Sequence, residues 1–129
     1  MSTWYKCLTI KQASINIGES KQARNQICQF IDDFRYEENK RKYRLIDKEI
    51  VDTGDVNMNA FLVAIVDYLC YESSMKVPKW VYGDKYFLKE PYYYPDINGL
   101  RFVQLLASPP SFPFLMRNIY TDGSILQRV

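Results

Sequence analysis

The 129-residue sequence contains no histidine, and this absence limits the chemistry that the chain can perform alone. Histidine is the commonest general base near neutral pH and the commonest metal ligand in proteins. A Ser-His-Asp triad, a Cys-His dyad and a histidine-ligated zinc site are therefore excluded within this chain. No other residue pattern declares a reaction, so we predict a non-enzymatic protein that uses no metal and no cofactor.

The chain also has few cysteines and a small net charge. The three cysteines, Cys7, Cys28 and Cys70, are odd in number and form no CxxC motif. Cys28 and Cys70 fall inside helical apolar patterns, where a reduced cysteine behaves as a small hydrophobic residue, and this favours a reducing cytoplasm. The net charge of +2 is too small to indicate an anionic partner, and no apolar run is long enough to span a membrane.

Apolar residues are plentiful and follow a helical period in the first half of the chain. With 47% hydrophobic and 25% charged residues, the composition is typical of a globular protein. We predict one domain over residues 1–129, mainly α, with residues 1–18 as a loosely attached N-terminal segment. A short helix is expected within that segment, over residues 3–13.

Three further helices are predicted before residue 73. The first begins at Ser20 as its N-cap and ends between Tyr36 and Asn39. A second, shorter helix covers residues 39–50. The third covers residues 56–72, where Asp55 or Asn57 can cap the free N–H groups, and it is the central core helix because its apolar stripe is the strongest.

The second half of the chain has a different character. All six prolines lie between Pro78 and Pro113, and seven aromatic residues fall within residues 80–94. Proline fixes φ and removes a donor, so we predict a rigid, irregular, aromatic-packed half attached to the helical bundle. One helical turn is expected over residues 84–89, a helix or a strand over 100–107, and a small β-hairpin over 119–129.

Arg117 follows Phe112 and Phe114, so its side chain is expected to pack among aromatic residues. A buried arginine needs a carboxylate or carbonyl partner. We predict that it ties the irregular half to the helices, with Asp67 or Asp96 as its partner.

Three charged motifs are candidate functional sites. Asp52-Thr53-Gly54 is the triplet of aspartic proteases, but it lies between helical patterns and fits a loop and N-cap better. The acidic residues 32, 33, 37 and 38 alternate with cations, as on a solvated helix face. The run Lys40, Arg41, Lys42 and Arg44 is the one basic cluster, and it supports an alternative function in nucleic-acid binding.

Taken together, six sequence segments resemble a little-characterised bacterial family. These are TGD at 53–55, NAFLVAIVDYLC at 59–70, VPKW at 77–80, LKEPYYYP at 88–95, ASPPSF at 107–112 and RNIY at 117–120. Family members are free-standing or follow a helix-turn-helix in transcriptional regulators, and they are often encoded beside nucleotidyltransferase-like proteins in toxin–antitoxin-like arrangements. The chain departs from the family at Tyr92, where tryptophan is usual, and at Pro113, and it lacks the helix-turn-helix.

The resemblance implies a role in partner binding. We therefore expect a cytoplasmic, antitoxin-like or regulatory module that binds and masks a partner protein, with a nucleotidyltransferase-like toxin as the candidate partner. The alternative function is that of a nucleic-acid-binding accessory or transcription-regulator-associated protein, and a hydrolase that uses Asp52 or the Asp32 and Asp33 pair is a remote third option. A homodimer is the alternative assembly. The residues predicted to bind the partner are Trp80, Tyr92, Tyr93, Tyr94, Arg117 and Asn118.

Overall fold

The computed structural model describes residues 7–20, 22–94 and 112–121, and the prediction for residues 100–107 lies outside them. The protein is mainly α, as the sequence predicts. Its helices are α1 (Ile10–Ser20), α2 (Ala23–Tyr36), α3 (Asn39–Lys42), α4 (Val56–Glu72) and α5 (Phe112–Leu115). Three 3-10 helices cover Tyr43–Leu45, Lys79–Tyr82 and Asp84–Tyr86, and two short strands are β1 (Tyr92–Tyr94) and β2 (Ile119–Thr121).

Helix α4 is the centre of the core, which confirms the prediction for residues 56–72. Asp55 is its N-cap, and the Asp55 Oδ1 atom accepts hydrogen bonds from the backbone N–H groups of Asn57 and Met58 at 2.9 and 3.3 Å. Every residue from Ala60 to Asp67 is buried. A helix that is apolar on nearly every face must be surrounded, and other elements of the fold cover it.

The N-terminal segment differs from its prediction. The helix expected over residues 3–13 runs instead over residues 10–20, and residues 1–6 lie outside the described ranges. Ile10, Ala13 and Ile17 are buried in the core, so residues 10–18 are not loosely attached. Their spacing of three and four residues places them on one helical face.

Ser20 does not cap α2. Its hydroxyl donates to the Asn16 carbonyl oxygen at 2.8 Å, so it closes the last turn of α1. Helix α2 starts at Ala23, and its first turn has no side-chain cap at Gln22. A serine at a helix end can bond the carbonyl four residues back as well as an N–H group ahead, which is why the residue type alone misplaced the boundary.

The helix expected over residues 39–50 is shorter, because the chain leaves helical geometry at Ile46, with φ −131°. The Ile46 carbonyl oxygen accepts a hydrogen bond from the Trp80 indole N–H at 3.0 Å. A carbonyl inside a continuing helix would be taken by the N–H four residues ahead. Ile46 and Ile50 are nonetheless buried, as their apolar character predicts.

Short elements of the second half pack against α4. The helical turn expected after residue 84 is the 3-10 helix Asp84–Tyr86. Strands β1 and β2 pair in parallel, with Tyr92 opposite Ile119 and Tyr94 opposite Thr121. The first arm of the expected terminal hairpin therefore pairs with residues 92–94, and residues 122–129 lie outside the described ranges.

Candidate partner-binding groove

A buried ion pair joins the second half of the chain to α4. The Arg117 side chain is fully buried, and its Nη1 atom lies 3.0 Å from Oδ2 of Asp67, which is itself only 6% exposed. Of the two predicted partners, Asp67 is therefore the one observed, and Asp96 lies outside the described residues. The pair fixes the segment before β2 against the last third of α4.

Two main-chain oxygens and two rings complete the surroundings of Arg117. Its guanidinium donates to the carbonyl oxygens of Pro113 and Val81 at 2.8 and 3.0 Å. The Cζ atom lies 4.9 Å from the ring centre of Phe87 and 5.7 Å from that of Tyr82. Burial lowers the pKa of Arg117 and Asp67 raises it, and the group stays charged at neutral pH because the ordinary arginine pKa is so high.

These contacts make Arg117 a structural residue, which corrects its prediction as a partner-binding residue. A side chain with no exposed surface cannot meet a partner without unfolding its surroundings. Its neighbour Asn118 also has a structural role. Asn118 has a left-handed φ of 65°, and its side-chain amide donates to the Leu88 carbonyl oxygen at 3.4 Å.

Beside the buried pair lies an open groove of about 470 Å³, named here the aromatic groove. It lies between the C-terminal turns of α4, the 3-10 helix that ends at Tyr82, and α5. Tyr71 is 81% exposed, Phe112 72% and Tyr82 47%, so the rings face solvent instead of the core. The lining residues are Asp67, Tyr68, Tyr71, Tyr82, Phe112, Pro113 and Met116.

Asp67 links the aromatic groove to the buried pair. While its Oδ2 atom contacts Arg117, its Oδ1 atom accepts a hydrogen bond from the Tyr82 hydroxyl at 3.2 Å. Burial and the adjacent Asp67 carboxylate raise the pKa of Tyr82, so this phenol stays neutral and donates. The wall of the groove is thus held by hydrogen bonds to a fixed carboxylate.

The predicted aromatic residues lie elsewhere. The Trp80 indole donates to Ile46 and its ring packs edge-on against Tyr86 at 6.3 Å, so it is largely a packing residue. Tyr92 packs edge-on against Phe61 in the core. Tyr93 is 37% exposed and stacks on Tyr120. The Tyr94 side chain is outside the described part, and none of the other five predicted residues lines the aromatic groove.

Sequence reasoning missed the residues that form the groove. Tyr68 and Tyr71 are three apart at the end of α4, so they occupy one face of its last turns. Aromatic residues that continue an apolar helix beyond its buried stripe are a signal for an exposed site. Phe112 gives no such signal, because only the fold brings it beside α4.

The basic cluster does not form one surface. Lys42 is buried, with its Nζ atom 5.3 Å from the Phe34 ring centre. Lys40 and Arg41 lie within 3.8 and 3.9 Å of the Glu38 carboxylate. Only Arg44 of the four is exposed without an ion pair in the described part of the chain. A four-cation contact with phosphates therefore has no preformed geometry here.

The acidic and cysteine residues form no reactive cluster in the described ranges. Asp52 lies on a loop, where it accepts hydrogen bonds from Gly54 and Asn59, and these bonds lower its pKa. No group of three potential metal ligands occurs among the described residues. Burial raises the pKa of Cys70 to about 12 and that of Cys7 to about 11, which disfavours the reactive thiolate.

Comparisons with protein-family models, with curated proteins and with solved structures find no match. Among residues 7–20, 22–94 and 112–121, no helix has both the length and the apolar character needed to cross a bilayer.

Proposed function

We propose that the protein is a non-enzymatic, cytoplasmic interaction module that binds a partner protein through the aromatic groove and masks it. The observation that carries this proposal is the grouping of Tyr71, Tyr82 and Phe112 around one groove, each well exposed. Isolated exposed apolar residues are ordinary, whereas exposed aromatic residues gathered around one concave site are typical of interaction sites. Tyrosine is also among the residues that contribute most to binding energy at interfaces.

Preorganisation supports the same proposal. The groove walls come from α4, the 3-10 helix Lys79–Tyr82 and α5. Arg117 bonds to one residue in each of these elements, which are Asp67, Val81 and Pro113 in that order. Walls that are already ordered lose little conformational entropy on binding. A fully buried cation bonded to all three walls is a physical reason for this order.

The resemblance supplies the candidate partner, a nucleotidyltransferase-like protein encoded nearby, and the antitoxin-like manner of action. The first test is affinity purification of the tagged chain from its own host, followed by native mass spectrometry. A stoichiometric protein partner is expected. Recovery of the chain alone, as a monomer or as a homodimer, would overturn the masking function.

The second test asks whether the groove makes the contact. Tyr71→Ala and Phe112→Ala are each expected to weaken partner binding by about 10- to 30-fold, as for aromatic residues in an interface centre. Tyr43→Ala is the matched control, because Tyr43 is 44% exposed but does not line the groove. Unchanged binding by both groove variants would contradict the proposed site.

The nucleic-acid alternative predicts a different result. Binding would then fall steeply with salt, and charge reversal at Arg41 and Arg44 would abolish it. The masking function predicts that the same two reversals leave partner binding within about twofold of the unmodified chain, because neither residue lines the groove.

A further inference from the structure

The rings of the aromatic groove favour a positively charged occupant. An aromatic face carries a negative quadrupole that attracts lysine and arginine side chains within about 6 Å. Four aromatic residues of the described part line the groove, at positions 68, 71, 82 and 112. One of them already attracts a cation inside the protein, since the Arg117 guanidinium lies 5.7 Å from the Tyr82 ring centre.

The charges around the groove favour the same occupant. Asp67 lines it, and its Oδ1 atom accepts only the Tyr82 hydrogen bond among the bonds of the described residues, although a carboxylate oxygen can accept two. Asp67 contacts both Arg117 and Tyr82, so its negative charge offsets that of the buried arginine and reduces the repulsion of a second cation.

Helix α4 adds a further negative contribution. Tyr68 and Tyr71 lie in its C-terminal turns, where the aligned peptide dipoles place partial negative charge. The last turn of this 17-residue helix contains no basic residue of its own, and the guanidinium of Arg35, which reaches it from α2, is paired with the Glu72 carboxylate. Among the described residues, no lysine or arginine lines the groove, and an anionic occupant would meet both the helix end and the carboxylate.

We infer that the aromatic groove binds an arginine or lysine side chain presented by the partner protein. The inference rests on the proposed function and names the chemistry of its contact. The cation lies against the rings of Tyr71 and Phe112 and is directed towards the Asp67 carboxylate, while its aliphatic stem covers the apolar rim.

The direct test uses three blocked amino acids as probes: the Nα-acetyl N-methylamides of lysine, arginine and norleucine. Norleucine has the lysine stem without the charge. Each probe is titrated into the full chain and followed by the NMR signals of the aromatic rings. Lysine and arginine are expected to bind about 3- to 10-fold more tightly than norleucine, with the largest shifts at Tyr71, Tyr82 and Phe112.

A matched pair of variants separates ring electrostatics from apolar area. The pair consists of Phe112→Leu, which keeps an apolar side chain but removes the quadrupole, and Phe112→Ala, which removes both. Phe112 is 72% exposed, so neither variant is expected to unfold the protein. Phe112→Leu is expected to weaken the binding of the cationic probes about 3-fold or more and to leave the binding of the norleucine probe unchanged. Equal binding of norleucine and the cations, or no shift of the ring signals with any probe, overturns the inference.

The same variants distinguish this inference from the proposed function. If Phe112→Ala weakens partner binding while Phe112→Leu retains it, the groove binds the partner through apolar area, and only the cationic occupant is wrong. If both variants bind the partner as well as the unmodified chain, the proposed site itself fails. If both weaken it and the cationic probes are preferred, both conclusions stand.

Discussion

Two regions of this protein are stabilised in different ways. The helical base, formed by α1, α2 and α4, is held by apolar side chains such as Ile10, Phe30 and Ile65, which are almost fully buried. The C-terminal half, residues 77–94 and 112–121, also buries apolar side chains such as Val81 and Phe114, but its segments are joined to one another and to α4 by one fully buried arginine. Apolar burial is proportional to area and has little directional requirement, whereas the bonds of a guanidinium demand particular positions of its partners.

This difference explains why the two regions differ in regularity. Helices satisfy their own backbone groups, so the base needs only matching apolar faces. The C-terminal half has only short elements in its described part, and the carbonyl oxygens of Val81 and Pro113 are satisfied by Arg117. One side chain thus replaces part of the hydrogen bonding that longer elements would supply. The groove lies where the two regions meet.

The largest effect is expected from breaking the buried pair. Arg117→Met leaves the Asp67 carboxylate buried without its counter-charge and should lower the free energy of unfolding by about 3–5 kcal/mol in urea denaturation. The double variant Arg117→Met with Asp67→Leu removes both charges and should recover at least about 1 kcal/mol of that loss. The single variant Asp67→Leu completes the cycle. If the double variant lost as much free energy of unfolding as the two single variants lose together, the pair would not be the organising contact.

A conservative change in the helical base is expected to cost less. Ile65 is fully buried in α4, and Ile65→Val removes one methylene group. The expected loss is about 1 kcal/mol, measured by the same denaturation. Arg117→Lys is also a conservative change, since it keeps the positive charge. It should nevertheless lower the free energy of unfolding more than Ile65→Val, because lysine cannot reproduce the forked bonds to Asp67 and Val81. Equal losses would remove the contrast between the two regions.

The helical base also contains one directional contact that can be tested alone. Asp55→Ala removes the cap of α4, whose two N–H groups at Asn57 and Met58 then turn to water. A loss of about 1 kcal/mol is expected. Asp55→Asn, which keeps a capping oxygen, serves as the control and should lose only a few tenths of that amount.

The smallest effect concerns a polar link between the loop that precedes α4 and the C-terminal half. Glu49 accepts a hydrogen bond from the Tyr86 hydroxyl and lies 3.1 Å from the Lys85 amine, and these contacts lower its pKa below the ordinary 4.5. The stabilisation that the ionised Glu49 carboxylate gives to the fold is therefore present above pH 4.5. It is lost as the pH falls through the lowered folded-state pKa.

Glu49→Gln tests this link across pH. At neutral pH the variant should be less stable than the unmodified chain by less than about 1 kcal/mol, because the carboxylate is largely exposed. That difference should shrink as the pH falls below 4.5. A constant difference from neutral to acid pH would exclude a role for the ionised carboxylate.

The apolar period of the sequence was enough to predict α4 and most of α2. Their stripes recur every three or four residues, and Asp55 is a capping residue just before the stripe. Boundaries were predicted less well at Ser20 and Ile46, since hydrogen bonds to Asn16 and Trp80 decided them. The Arg117–Asp67 pair was within reach of sequence reasoning because a buried arginine requires an anion.

The aromatic groove could not be predicted from the sequence in the same way. A tyrosine packs or faces solvent according to what lies opposite it, and the sequence of residues 80–94 does not say which. Tyr92 turned inwards onto Phe61, while Tyr82 stayed at the rim through its bond to Asp67. Phe112 joined the groove because α5 packs beside α4.

By itself, the sequence determined the helical class, the core helix, the need of Arg117 for a buried anion, and the absence of histidine chemistry. These follow from periodicity, burial and composition, which are local or additive properties. Only the tertiary structure decided that Lys42 turns inwards and that Tyr71, Tyr82 and Phe112 share one exposed groove. The reason is that the exposure of a side chain depends on neighbours distant in sequence, which no local pattern contains.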